Sequence, residues 1–193
     1  MTQGSPAEGA EPLPHWPYPR WIAHRGAGRL APENTLAAFR LGATHGYRMF
    51  ECDVKLSADD VPFLLHDATL ARTTRAPGGL GLANGALAGD QDWQLLSQFD
   101  AGRWHSRAFA GEPLPTLENI AQFCIQNGYC LNIEIKPTPG TETPTGEIVA
   151  AHAARLWRTA PVPPLLTSFQ PEALQGARDR APELPRGLLL DSL

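Results

Sequence analysis

The chain is 193 residues long, 42% hydrophobic and 19% charged, with a formal net charge of −4; that is enough for one domain with a sizeable core and short for two. The balance gives no basic field for nucleic acid and no polybasic patch for anionic lipid. The three cysteines, Cys52, Cys124 and Cys130, form neither a CxxC pair nor a disulfide framework; with no apolar run of roughly 20 residues and no signal-like start, a cytoplasmic protein without a membrane span is expected.

Residues 1–20 hold five prolines and almost no periodicity, and are expected to form an extended, poorly ordered leader. From Trp21 to Leu193, short apolar runs alternate with helical patterns, the signal of a parallel sheet with crossover helices. The runs place strands at 21–24, 49–54, 61–66, 131–136, 165–169 and 187–191. The first helix should start near Pro32, Asn34 or Thr35, carry Leu36, Phe39 and Ala43 as its apolar stripe, and end at Gly46. A second should run over 116–127, with Thr116 as N-cap and Gly128 past its end. Two more are expected over 146–157 and 172–180. The link 55–60 is too short for a crossover helix, which leaves the direction of the third strand open. Residues 68–115 read as an insertion that caps a site, since loops this long inside a domain are usually functional.

Side chains alternate faces along a strand, so i and i+2 share one. Phe50, Cys52 and Val54 then make an apolar face, with Glu51 and Asp53 on the other. Leu131, Ile133 and Ile135 oppose Asn132, Glu134 and Lys136 in the same way. His24 and His66 end two further strands. An inner face can turn polar only at the mouth of a barrel, where water, a ligand or a cation satisfies it. Glu51, Asp53 and Glu134 are hard oxygen donors that favour Mg²⁺ or Ca²⁺ over zinc, and without a cation three converging carboxylates would repel. Arg25 and Lys136 add positive charge for an anionic substrate, phosphate above all. His24 and His66 titrate near neutrality and can pass protons.

Six fragments in order carry a family resemblance: His24-Arg25-Gly26, Pro32-Glu33-Asn34-Thr35, Glu51-Cys52-Asp53-Val54, His66-Asp67, Pro115-Thr116-Leu117-Glu118 and Glu134-Ile135-Lys136. Together they resemble the glycerophosphodiester phosphodiesterases over residues 21–193, and Leu70-Ala71-Arg72-Thr73-Thr74 and Asp100-Ala101-Gly102-Arg103-Trp104 resemble that family's insertion after the third strand. The resemblance implies a TIM-type (β/α) barrel and hydrolysis of small-molecule glycerophosphodiesters, such as glycerophosphocholine or glycerophosphoethanolamine, to glycerol 3-phosphate and an alcohol. It implies Glu51, Asp53 and Glu134 as ligands of a divalent metal ion, His24 and His66 as the acid/base pair, Arg25 and Lys136 on the phosphate, and Glu33 in support. Six strands fall short of the family's eight, so an incomplete barrel is expected, able to oligomerise through its open edges.

Two competing readings accompany this one. Another metal-dependent barrel chemistry, of aldolase or enolase type, would lean on Lys136, and the two histidines argue against it. A shortened barrel could instead bind phosphodiesters or a partner without turnover. For the residues themselves, Lys136 could be a structural partner of Glu134, Glu33 could simply favour a helix N-terminus, and Trp93, Trp104 and Phe109 read as core of the insertion.

Overall fold

A computed structural model describes residues 16–78 and 85–191. The first helix, α1 (Leu36–Thr44), leads to strands β1 (Met49–Leu56) and β2 (Pro62–Leu64). Among its described residues, the insertion that follows contains the short helix α2 (Trp93–Leu96) and two 3₁₀ turns. After it come α3 (Leu117–Asn127), β3 (Cys130–Ile135), α4 (Glu142–Leu156), β4 (Leu165–Ser168), α5 (Pro171–Arg180) and β5 (Arg186–Leu188). The five strands form one sheet in the order β2-β1-β3-β4-β5, with β1, β3, β4 and β5 mutually parallel. Among the described residues the sheet does not close on itself, as expected for an incomplete barrel.

One expected strand is corrected, and the direction of another, open from sequence, is decided. Residues 21–24 form no strand: Ala23 alone bridges Phe50, giving its N–H to Met49 and taking one from Glu51. Pairing stops there because Arg25 turns into the left-handed region at φ 52° and Gly26 follows at φ 97°. The third strand runs antiparallel to β1, pairing Val54 with Leu64 and Leu56 with Pro62, through a tight return in which Asp60 takes φ 61° and donates to the Ser57 carbonyl. It is therefore a hairpin arm rather than a barrel stave, and among the described residues the sheet has five strands where six were expected.

Helix boundaries follow their caps. The Thr35 hydroxyl accepts from Ala38 N–H to start α1, and Thr116 and Asn119 make a reciprocal capping box at α3, which Gly128 ends in the left-handed conformation. α4 begins four residues before its expected start at 146. Pro144 lies in its first turn, where backbone N–H groups have no intrahelical partner to lose.

The alternation of faces sorts the interior. Phe50, Cys52, Val54, Leu131, Ile133 and Ile135 pack against Phe39, Ile120, Cys124, Val149, Ala153 and Ala177 of the helices in one buried cluster. Phe63 and Leu65 face the opposite way from Leu64 and carry the insertion's own core, with Leu70, Leu96, Phe99 and Leu114. On the inner face, Met49 and Leu165 are covered by Tyr18, whose hydroxyl donates to the Pro163 carbonyl at 3.1 Å. The end of the expected leader is thus packed against the floor of the sheet, where an aromatic ring covers apolar side chains; residues 1–15 lie outside the described residues. No described helix is long and apolar enough to cross a membrane.

Candidate active site

Register builds the centre of the site. Parallel pairing of β1 with β3 sets Asp53 beside Glu134, and Glu51, two residues back on the same face, follows. One oxygen from each of Glu51, Asp53 and Glu134 lies within 4.8 Å of the others. Glu51 and Asp53 are buried, and Glu51 Oε1 and Asp53 Oδ1 have no hydrogen-bond partner among the described residues. Two orphaned buried carboxylate oxygens are what a bound cation would satisfy, and an all-oxygen donor set suits a hard one. Burial, then the neighbouring Asp53, pushes the Glu51 carboxyl up to about 8. The residues present fit a divalent cation.

The other oxygens of these carboxylates are held. Glu51 Oε2 accepts the Arg25 backbone N–H at 2.9 Å. Asp53 Oδ2 accepts the Asn34 amide at 2.7 Å and lies 3.2 Å from Arg25 Nε in an ion pair. Lys136 Nζ donates to Glu134 Oε1 at 3.1 Å and sits 3.8 Å from Asp53 Oδ1. Arg25 also donates to Glu33 Oε1 at 2.8 Å. Arg25 and Lys136 thus meet carboxylates first, and each has a largely buried side chain (17% and 22% exposed), so each is placed by ion pairs before any ligand arrives.

The histidines flank this centre. His24 follows the Ala23 bridge, with Nε2 3.9 Å from Glu51 Oε2 and its side chain 66% exposed at the mouth. Burial of the ring, then the charge of Arg25, lowers its pKa. His66 lies just past β2, where Leu65 N–H still bonds to the Asp53 carbonyl. Its Nδ1 is 2.8 Å from Asp67 Oδ1.

Four neighbours of the site went unassigned from sequence. Asn34 brackets Asp53, and its N–H also bonds to the Arg25 carbonyl, each residue in the left-handed region. Asp67 and Arg72 form a double hydrogen bond, and Arg72 forms another with Glu33. Lys55, buried on β1, donates to the Lys136 carbonyl at 3.2 Å, and burial, then Lys136, brings it down to about 8. Asn34, Asp67 and Arg72 all fall inside fragments that carry the resemblance; an even number of residues from Asp53 was the available signal for Lys55. Trp93 packs on Phe63 and the Trp104 indole donates to the Ala101 carbonyl, both within the insertion.

With this geometry in place, comparison with known proteins is decisive. The sequence pattern of the Glycerophosphoryl diester phosphodiesterase family matches residues 24–192. The chain belongs to that family. Among glycerophosphodiester phosphodiesterase relatives, the enzyme of that name from Caldanaerobacter subterraneus is 31% identical over 172 residues, 87% of this chain and 65% of the relative. The YhdW protein of Bacillus subtilis (strain 168) is 33% identical over 87% of this chain and 64% of its own. A phosphodiesterase of Oleispira antarctica, solved in complex with the product sn-glycerol-3-phosphate, superposes with TM-score 0.77 at 34% identity, covering 91% of this chain and 67% of that one. The chain spans about two thirds of the length of these relatives.

Proposed function

We propose that this chain carries the catalytic half of a divalent-metal-dependent hydrolase that converts glycerophosphodiesters to glycerol 3-phosphate and an alcohol. The observation that carries this reading is the convergence of Glu51, Asp53 and Glu134, two of whose buried oxygens have no hydrogen-bond partner among the described residues. The membership of the family and the product named for the Oleispira antarctica relative support the substrate class.

Glu51, Asp53 and Glu134 would hold the ion, Mg²⁺ or Ca²⁺ by the hardness of the donors. When bound, such an ion polarises the phosphoryl oxygens and offsets the charge that grows on them. Arg25 and Lys136, already anchored beside Asp53 and Glu134, direct guanidinium and ammonium groups at the phosphate. Glu33 holds the Arg25 fork. Hydrolysis breaks the P–O bond to the head-group alcohol and forms one to the attacking oxygen. Of His24 and His66, one takes the proton of that attacking oxygen and the other returns a proton to the departing alkoxide. The same pair serves water directly or the glycerol 2-hydroxyl, the latter through a cyclic phosphate that water opens. Three thiols without disulfides suit a reducing compartment such as the cytoplasm.

The test is release of glycerol 3-phosphate from glycerophosphocholine with Mg²⁺ or Ca²⁺, with and without EDTA. Metal-dependent release that His24→Ala and His66→Ala each abolish is expected. Cation binding without turnover would instead favour a non-catalytic binding domain.

A further inference from the structure

Arg72 touches none of the three carboxylates proposed to hold the ion, yet two chains of contacts leading into the site meet on it. Its Nε and Nη2 donate to Asp67 at 2.7 and 2.8 Å, and its Nη1 and Nη2 donate to Glu33 at 2.9 and 2.7 Å. From Asp67 the contacts run to His66 Nδ1 at 2.8 Å. From Glu33 they run to Arg25 Nη1 at 2.8 Å, and Arg25 reaches Asp53. One guanidinium therefore ties the segment after β2 to the turn before α1. Those segments carry the two groups the proposed chemistry needs held still.

An imidazole that gives Nδ1–H to a fixed carboxylate keeps Nε2 for its other partner, and the carboxylate itself must be oriented for this to work. Asp67 alone is a rotatable side chain on the surface side of the site. With both oxygens gripped by a planar fork it has one orientation. We infer that Arg72 is a positioning residue: by clamping Asp67 it holds His66 in the Nδ1–H tautomer with Nε2 free for the reacting oxygen, and by clamping Glu33 it fixes the aim of Arg25. This rests on the reading of His66 as an acid/base group. The pair is worth little to folding, because Arg72 is 45% exposed and exposed ion pairs contribute little to stability. Lysine would keep the charge and lose the fork, so the conservative change is not conservative here.

Long-range ¹H–¹⁵N spectra of histidine-labelled wild type, Arg72→Gln and Arg72→Lys at pH 8 report the tautomer of His66 without any turnover. Wild type is expected to show one Nδ1–H tautomer, and both variants a mixture with Nε2–H, at nearly unchanged melting temperatures. In parallel, kcat should fall by about 10- to 100-fold in both variants, and millimolar guanidinium should restore part of the loss in Arg72→Ala. A His66 tautomer unchanged in Arg72→Gln, or a lysine variant that keeps the wild-type tautomer and kcat, overturns the inference. A wild-type chain that hydrolyses no glycerophosphodiester defeats the functional reading instead, and the spectra still decide the role of Arg72.

Discussion

Asn34 grips Asp53 from two directions, its amide nitrogen donating to Oδ2 at 2.7 Å and its amide oxygen accepting the Asp53 backbone N–H at 3.1 Å. The grip occupies Oδ2 and leaves Asp53 Oδ1 without a hydrogen-bond partner among the described residues, 3.8 Å from Lys136 Nζ. It is made from a left-handed backbone, φ 58°, which asparagine tolerates better than most residues.

Replacing Asn34 therefore acts on cation affinity before it acts on substrate. Asn34→Ala is expected to weaken Mg²⁺ binding by about 10- to 100-fold, the usual penalty for losing a residue that orients a ligand. Titration calorimetry of the whole chain measures this directly. Affinity unchanged within twofold would show that Asp53 is held without its bracket.

The metal-free protein should lose stability as pH rises. Burial raises the Glu51 carboxyl from its ordinary 4.5 to about 8, so in this window the folded state holds a proton that the unfolded state has released. Stability from that proton is fully present below about 4.5 and is lost as pH climbs through about 8. Urea midpoints in EDTA should fall across that range, whereas saturating Mg²⁺, which favours the charged carboxylate, should flatten or reverse the trend. Glu51→Gln should remove the slope of the metal-free protein.

Close contact between α4 and α5 rests on absent side chains. A Cβ on Gly146 would overlap the Ala173 carbonyl, and one on Gly176 the Thr143 carbonyl. Alanine improves helix propensity by about 1 kcal/mol, but overpacking against backbone costs about 1–3 kcal/mol. Gly146→Ala should therefore be destabilising on balance, seen as a lower urea midpoint with little change in slope.

Cys52 lies between two proposed metal ligands and is fully buried, and burial holds its thiol well above the ordinary value, as it does Cys124. Native protein should react with a thiol reagent at Cys130 alone, and slowly, because its half-buried thiol is raised too. Denatured protein should titrate all three. Fast native labelling of Cys52 would mean that the site opens.

Much of this molecule can be read without coordinates, because period-2 alternation and capping chemistry are local. Phe50, Cys52 and Val54 against Glu51 and Asp53 follow from the pleat alone, and Thr116 with Gly128 bounds α3 within a residue. What escapes is whatever depends on pairing between distant segments. The 61–66 run reads as a strand either way, and only its hydrogen bonds to β1 make it an antiparallel arm. The 21–24 run has strand composition, yet the backbone turns at Arg25 before a ladder can form.

The sequence by itself determined which side chains of β1 and β3 share a face and that hard carboxylates, imidazoles and cations stand next to short apolar runs, since these depend on neighbours one or two residues away. Only the tertiary structure decided that Asp53 stands level with Glu134, and that Arg72 reaches both Asp67 and Glu33, across 39 residues in the latter case. The period-2 pattern restricts which faces can pair, but which residue of a distant strand stands opposite, and which side chains then meet, follows only once the strands and helices pack together.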